Sequence, residues 1–213
     1  MITLKTQTNN LIPKNVFCFW TGTNQLTSNR LRCLQVMKEN IGVRVILVTT
    51  ENLKEFILPE YPLHKSYEYL SLTHRSDYLR MYFMHFYGGG YCDIKEVHHS
   101  WEPFFDSVND DNWVIGFSGK EWNQKIGWSS MICKSNTPFT NDWYNIVNNL
   151  LNEKYEELKH NPADHYTVLS GYERPEYPLQ WLELMGKSFQ ILVEKYSLYI
   201  QDTLPIPILE MYR

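Results

Sequence analysis

Between Ser76 and Lys95 the chain reads SDYLRMYFMHFYGGGYCDIK, a stretch that leaves little choice of local structure. Leu79, Tyr82, Phe83 and Phe86 recur at helical spacing, while Asp77, Arg80 and Met84 fall at i, i+3 and i+7 on another face. Gly88 to Gly90 then stop the helix, because glycine alone enters left-handed conformations at little cost. Tyr91-Cys92-Asp93-Ile94 reads as a short strand. Asp93 sits near its carboxyl end, where open α/β sheets bind ligands. Ser76 is expected to cap the helix, which puts Asp77 in a first turn that favours a carboxylate. Helix, turn and strand together predict a polar, acidic corner on a rigid scaffold.

The rest of the chain alternates in the same way. Asn15 to Trp20 and Val43 to Thr49 read as strands, the second a near-continuous apolar run suited to a buried parallel sheet. Between them Thr27 to Asn40 carries apolar residues at helical spacing. Glu51 to Phe56 reads as a short helix, and Pro59 and Pro62 break the chain into a loop. Trp113 to Phe117 and Gly127 to Cys133 read as strands. Pro138 opens a helix through Leu151, with Asn152 to His160 as a charged continuation. A helix is expected near Pro178 to Met185 and a strand near Phe189 to Val193. The expected fold is α/β: a three-layer α/β/α sandwich with a mostly parallel central sheet. The 213 residues, 1–213, suit one domain, whether whole or a piece of a larger protein.

Composition narrows the function. A net charge of -4 lacks the basic footprint that nucleic-acid binding needs. No stretch reaches the ~18 apolar residues of a membrane span, and MITLKTQTNN lacks the apolar run of a signal peptide. Cys18, Cys33, Cys92 and Cys133 form no metal spacing and suit a reducing compartment, so a cytoplasmic location is expected. The 15 Tyr and 7 Trp could stack on sugar faces, although core and surface filling explains most of them.

The pattern Ser76-Asp77-x-x-Arg80, then a mostly apolar stretch, then Tyr87-Gly88-Gly89-x-Tyr91-x-Asp93 resembles the DXD-type sugar transferases. That family includes yeast-type mannosyltransferases, glucosyltransferase domains of clostridial toxins and capsular polysaccharide synthesis proteins. A looser likeness extends to N-terminal transferase domains of multidomain chlorovirus proteins. Ile12-Pro13-Lys14 followed by Phe17 to Gly22 is similar to the family's opening strand, and the two blocks cover roughly a fifth of the chain.

The resemblance implies a GT-A fold of the nucleotide-diphospho-sugar transferase type, and an enzyme. Its expected reaction moves a hexose or deoxyhexose from a UDP-sugar (UDP-glucose or related) to a glycan or glycoprotein hydroxyl, with retention. It places Asp93 on a manganese or magnesium ion, Asp77 and Arg80 on donor sugar hydroxyls, and Trp20, Thr21 and Gly22 against the base and ribose. One position departs from the family: Asp93-Ile94-Lys95 puts an ammonium where a second carboxylate is usual. Glu96 or His98 could replace that ligand, a distant residue could complete the shell, or Lys95 could itself neutralise phosphate. Glu96, Asp106, Glu121 and Asp164 are the candidate bases should the enzyme invert. Two rivals remain at this level, a non-catalytic nucleotide-sugar or glycan-binding module and a metal-dependent hydrolase.

Overall fold

A computed structural model describes residues 12–163 and 176–208. Its elements run β1 (Asn15–Trp20), α1 (Ser28–Asn40), β2 (Arg44–Thr49), α2 (Leu72–Phe86), β3 (Gly89–Cys92), α3 (Glu102–Phe105), β4 (Val114–Ser118), β5 (Ile126–Cys133), α4 (Pro138–Glu153), α5 (Tyr155–His160), α6 (Ser188–Lys195) and β6 (Ile200–Gln201). The six strands form one sheet in the order β2-β1-β3-β5-β4-β6. β1 is parallel to β2 and β3, and β4 is parallel to β6, whereas β5 runs antiparallel to both its neighbours. Five strands therefore point one way, as a mostly parallel sheet requires.

Each face of the sheet has its own core. On one side α2, α4 and α6 cover an aromatic cluster that includes Phe17, Phe83, Tyr91, Phe139, Trp143 and Phe189. On the other, α1 and α3 cover a smaller cluster of Cys18, Cys33, Met37, Cys92, Ile115 and Ile132. Alternation along β3 feeds both: Tyr91 enters the first and Cys92 the second. The three layers expected from the sequence are present.

The helix starts follow capping chemistry. Thr27 accepts from the Arg30 amide, and Thr137 forms a reciprocal capping box with Thr140 ahead of Pro138. α2 begins earlier than expected. Its cap is Ser71, whose side chain accepts from the His74 amide. Ser76 thus lies inside the helix, and Asp77 is a mid-helix carboxylate with no help from the helix N-terminus. The expected strand near Phe189 to Val193 is instead α6, which buries Phe189, Leu192 and Val193 on one helical face. The helix expected near Pro178 to Met185 is a π-turn over Glu183–Lys187. Glu51 to Phe56 holds only a 3-10 turn, Leu53–Glu55, and the charged continuation breaks at Lys154 before α5.

The turn from α2 into β3 is as tight as three glycines allow. Gly88 and Gly89 have φ of +65° and +84°, and a Cβ on Gly90 would lie 2.7 Å from Val16 Cγ2. β3 therefore follows α2 after two residues, Tyr87 and Gly88, and Asp93 emerges one residue past its end.

Candidate active site

Asp77, Arg80 and Asp93, which the sequence proposes as one site, meet at the carboxyl end of β3. Arg80 is 4% exposed, and its Nη2 lies 3.3 Å from both Asp77 Oδ1 and Asp93 Oδ1. The same nitrogen donates to the Tyr91 hydroxyl at 2.9 Å, and Nη1 donates to the Trp128 carbonyl at 2.7 Å. Tyr91 in turn donates to Asp93 Oδ1 at 2.6 Å, and the guanidinium lies 4.2 Å from the Tyr91 ring centroid. Asp93 Oδ1 is thereby saturated by protein donors. Its carboxylate is 31% exposed, with Oδ2 3.6 Å from the buried Lys95 ammonium.

Burial and charge act in opposite senses here. Burial pushes the Asp77 carboxyl up to about 7, the Arg80 charge opposes that rise, and Asp93 adds to it. Burial alone would lower the Arg80 pKa, but Tyr91, Asp77 and Asp93 outweigh it and hold the guanidinium charged. Burial raises the Tyr91 phenol well above its ordinary value, so the hydroxyl stays a donor to Asp93.

The opening block lies at the same end of the sheet. Trp20 pairs with Thr49 at the last rung of β1 and β2. Its indole N–H donates to the Asn24 carbonyl at 2.7 Å, closing the loop that carries Thr21 and Gly22. Thr21 accepts from the Tyr67 hydroxyl at 3.4 Å, and Thr50 donates to the Gly22 carbonyl at 3.2 Å. A Cβ on Gly22 would sit 2.5 Å from Leu72 Cδ1, so this loop lies against the first turn of α2.

Other candidates are placed elsewhere. Glu96 pairs with Arg32 at 2.5 Å and with His98 at 2.9 Å. These contacts commit both proposed stand-ins for the missing ligand. Asp106 pairs with Lys14, just ahead of β1, at the amino end of that strand and so at the opposite end of the sheet from the site. Glu121 is exposed on the turn after β4. Asp164, His165 and the Ser170-Gly171-Tyr172 stretch lie outside the described residues.

With that geometry in place, known proteins give a frame. A family profile described as capsular polysaccharide synthesis protein matches residues 2–197. The chain belongs to that family. Among solved structures, one described as "PaToxG Glycosyltransferase" is similar over 86% of this chain and 68% of that one, with a TM-score of 0.53 and 16% identity. At that identity the likeness is one of fold, and it agrees with the GT-A type expected. No curated protein matches the sequence. The chain thus belongs to the capsular polysaccharide synthesis proteins and shares its fold with a glycosyltransferase.

The DXD-type resemblance implies a divalent cation, and the donor set can be judged from the residues present. Magnesium-like ions bind through one or two carboxylates, with water and substrate phosphate oxygens completing the shell. Asp93 Oδ2 is one such oxygen, oriented by the bonds on Oδ1 and open to solvent. Asp77 is buried against Arg80, and Glu96 is committed to Arg32 and His98, so among the described residues Asp93 alone meets the need. A second protein ligand is not essential to a site shared with a diphosphate. Two residues of the site had no role assigned from the sequence, Tyr91, which stands within the motif, and Trp128, which does not. Tyr91 was legible, since Tyr91, Asp93 and Lys95 alternate onto one side. Trp128, on a strand that pairs with β3 only in the fold, was not.

Proposed function

We propose that this protein transfers a hexose or deoxyhexose from a UDP-sugar to a glycan or glycoprotein hydroxyl, with retention at the anomeric carbon. The observation that carries the reading is Asp93, one carboxylate oxygen fixed by Tyr91 and Arg80 and the other turned toward solvent beside Lys95. Breaking the anomeric bond leaves negative charge on the diphosphate. Lys95, 3.6 Å from Asp93 Oδ2, would neutralise that charge, and Asp93 would hold a manganese or magnesium ion. When bound, the cation supplies Lewis-acid stabilisation of the leaving diphosphate. Asp77 and Arg80 border the donor sugar and orient its hydroxyls, Arg80 also holding Asp93 in place. Trp20, Thr21 and Gly22 form the rim for base and ribose. Four buried free cysteines support action in a reducing compartment such as the cytoplasm.

Thermal unfolding with a panel of nucleotide sugars, with and without manganese, tests this. A bound UDP-sugar at 100 times its dissociation constant should add about 2.7 kcal/mol, with a smaller gain from guanosine or cytidine donors. Equal or greater stabilisation by GDP-mannose would overturn the choice of base. Donor binding with no transfer to any acceptor would favour a binding module instead.

A further inference from the structure

We propose that the cavity between the start of β5 and α6 is the acceptor subsite, and that it takes one pyranose ring of the acceptor glycan; this rests on the glycosyl-transfer reading above. The cavity has a volume of about 130 Å³ and opens to solvent beside Trp128, Phe189, Gln190, Val193 and Glu194. A cavity of about 150 Å³ accepts a benzene-sized ring, so this one suits a single six-membered ring with its substituents toward the opening.

Its chemistry is that of a sugar rather than of a flat apolar ligand. The floor is apolar, from Ile126, Trp128, Phe189 and Val193, and matches the C–H face of a pyranose. Gln124 and Gln190 on the walls are half-buried and bear amides, while Glu194 stands exposed at the rim. Amides and a carboxylate are the groups that hydrogen-bond sugar hydroxyls. Lys125 donates to the Ser197 carbonyl, which ties the β4–β5 connection to the end of α6 and braces the opening.

Trp128 sets the position relative to the donor. The residue lines the cavity, and its carbonyl accepts from Arg80 Nη1 at 2.7 Å. The next residue, Ser129, accepts from the Asp93 amide at 2.8 Å. One stretch of β5 thus joins the cavity to both Arg80 and Asp93. A sugar seated on Trp128 would present a hydroxyl toward the donor corner.

The test uses methyl glycosides of common hexoses and deoxyhexoses, observed by saturation-transfer NMR with the whole chain. At least one glycoside should receive saturation from wild type. Val193→Phe, which fills the floor, should abolish that signal. Glu194→Trp, which covers the opening from an exposed position and spares the core, should do the same. In transfer assays the acceptor KM should rise about tenfold or more in either variant. Thermal stabilisation by the nucleotide sugar reads the donor side alone and should be retained. Signals that persist in a folded Glu194→Trp protein, or no glycoside contacting wild type, would overturn the acceptor subsite. Failure of every nucleotide sugar to stabilise wild type would instead overturn the transferase reading.

Discussion

The two faces of the central sheet are built from the same strands and do different work. Under α1 and α3 the face is dry and sulfur-rich, with Cys18, Cys33, Met37, Cys92 and Ile132 all at 2% exposure or less. The Cys18 thiol there donates to the Met37 sulfur at 3.5 Å. The face under α2, α4 and α6 is larger and aromatic, and its helix α2 also buries His74, Asp77, Arg80 and His85. The dry face gains stability from area removed from water. The aromatic face must in addition offset the desolvation of charge, and it does so with the Arg80–Tyr91–Asp93 network. Side chains one residue apart on β3 thus serve opposite ends, Cys92 packing and Tyr91 orienting.

Removing the centre of that network should have the largest effect. Arg80→Met takes the guanidinium from Asp77 and from Asp93, leaving Asp93 beside Lys95, and urea unfolding should show a loss of about 3–5 kcal/mol. A loss near that of an ordinary surface change would mean the two faces do not differ as described. Asp93→Asn keeps shape and should spare stability, while transfer falls about 10²–10³-fold. Unchanged binding and turnover would move the active site elsewhere. Lys95→Asp sharpens the same point: if Lys95 serves in place of a metal contact, manganese titration of UDP binding should show tighter metal affinity and stronger metal dependence.

Asp77 gives a smaller, pH-dependent difference. Its folded pKa, raised by burial to about 7, exceeds the unfolded value near 3.8. The folded state then binds more protons between these values, so this group's contribution to stability falls as pH rises from about 4 to about 7. Asp77→Asn should remove that slope, read from unfolding at pH 5 and 7.5. On the dry face, Ile132→Val should cost only about 0.5–1.5 kcal/mol and leave transfer unchanged. A change in turnover from that variant would show that the faces are coupled.

Much of the fold was legible because local signals agreed. The start of α1, the strand β1 and the opening of α4 fell where caps, proline and apolar spacing placed them. Ser76 misled because it precedes Asp77, an attractive first-turn residue. Ser71 also precedes a helical run, and the true cap was decided by tertiary contacts: its amide donates to the Tyr177 hydroxyl, and its side chain meets His74. The run Phe189 to Val193 is short, apolar and rich in β-branched residues, so periodicity alone could not separate strand from helix. Packing against α4 decided it, through Phe139 and Trp143 on Phe189. At the site, the acid–arginine pair was visible by spacing, but its burial was not. An exposed i, i+3 pair and this buried one share the same letters.

The two-residue passage from α2 into β3 bears on which changes in length the gene could tolerate. Surface loops elsewhere absorb insertions with little cost. Adding or deleting a single codon between Gly90 and Asp93 would reverse the pleat beyond it, sending the carboxylate toward the cysteine-lined side and an apolar neighbour toward the substrate. Two codons would restore the phase but carry the aspartate past the reach of Tyr91 and Arg80. Descendants of this sequence can therefore vary freely in the letters of that stretch only where packing allows, and scarcely at all in its count.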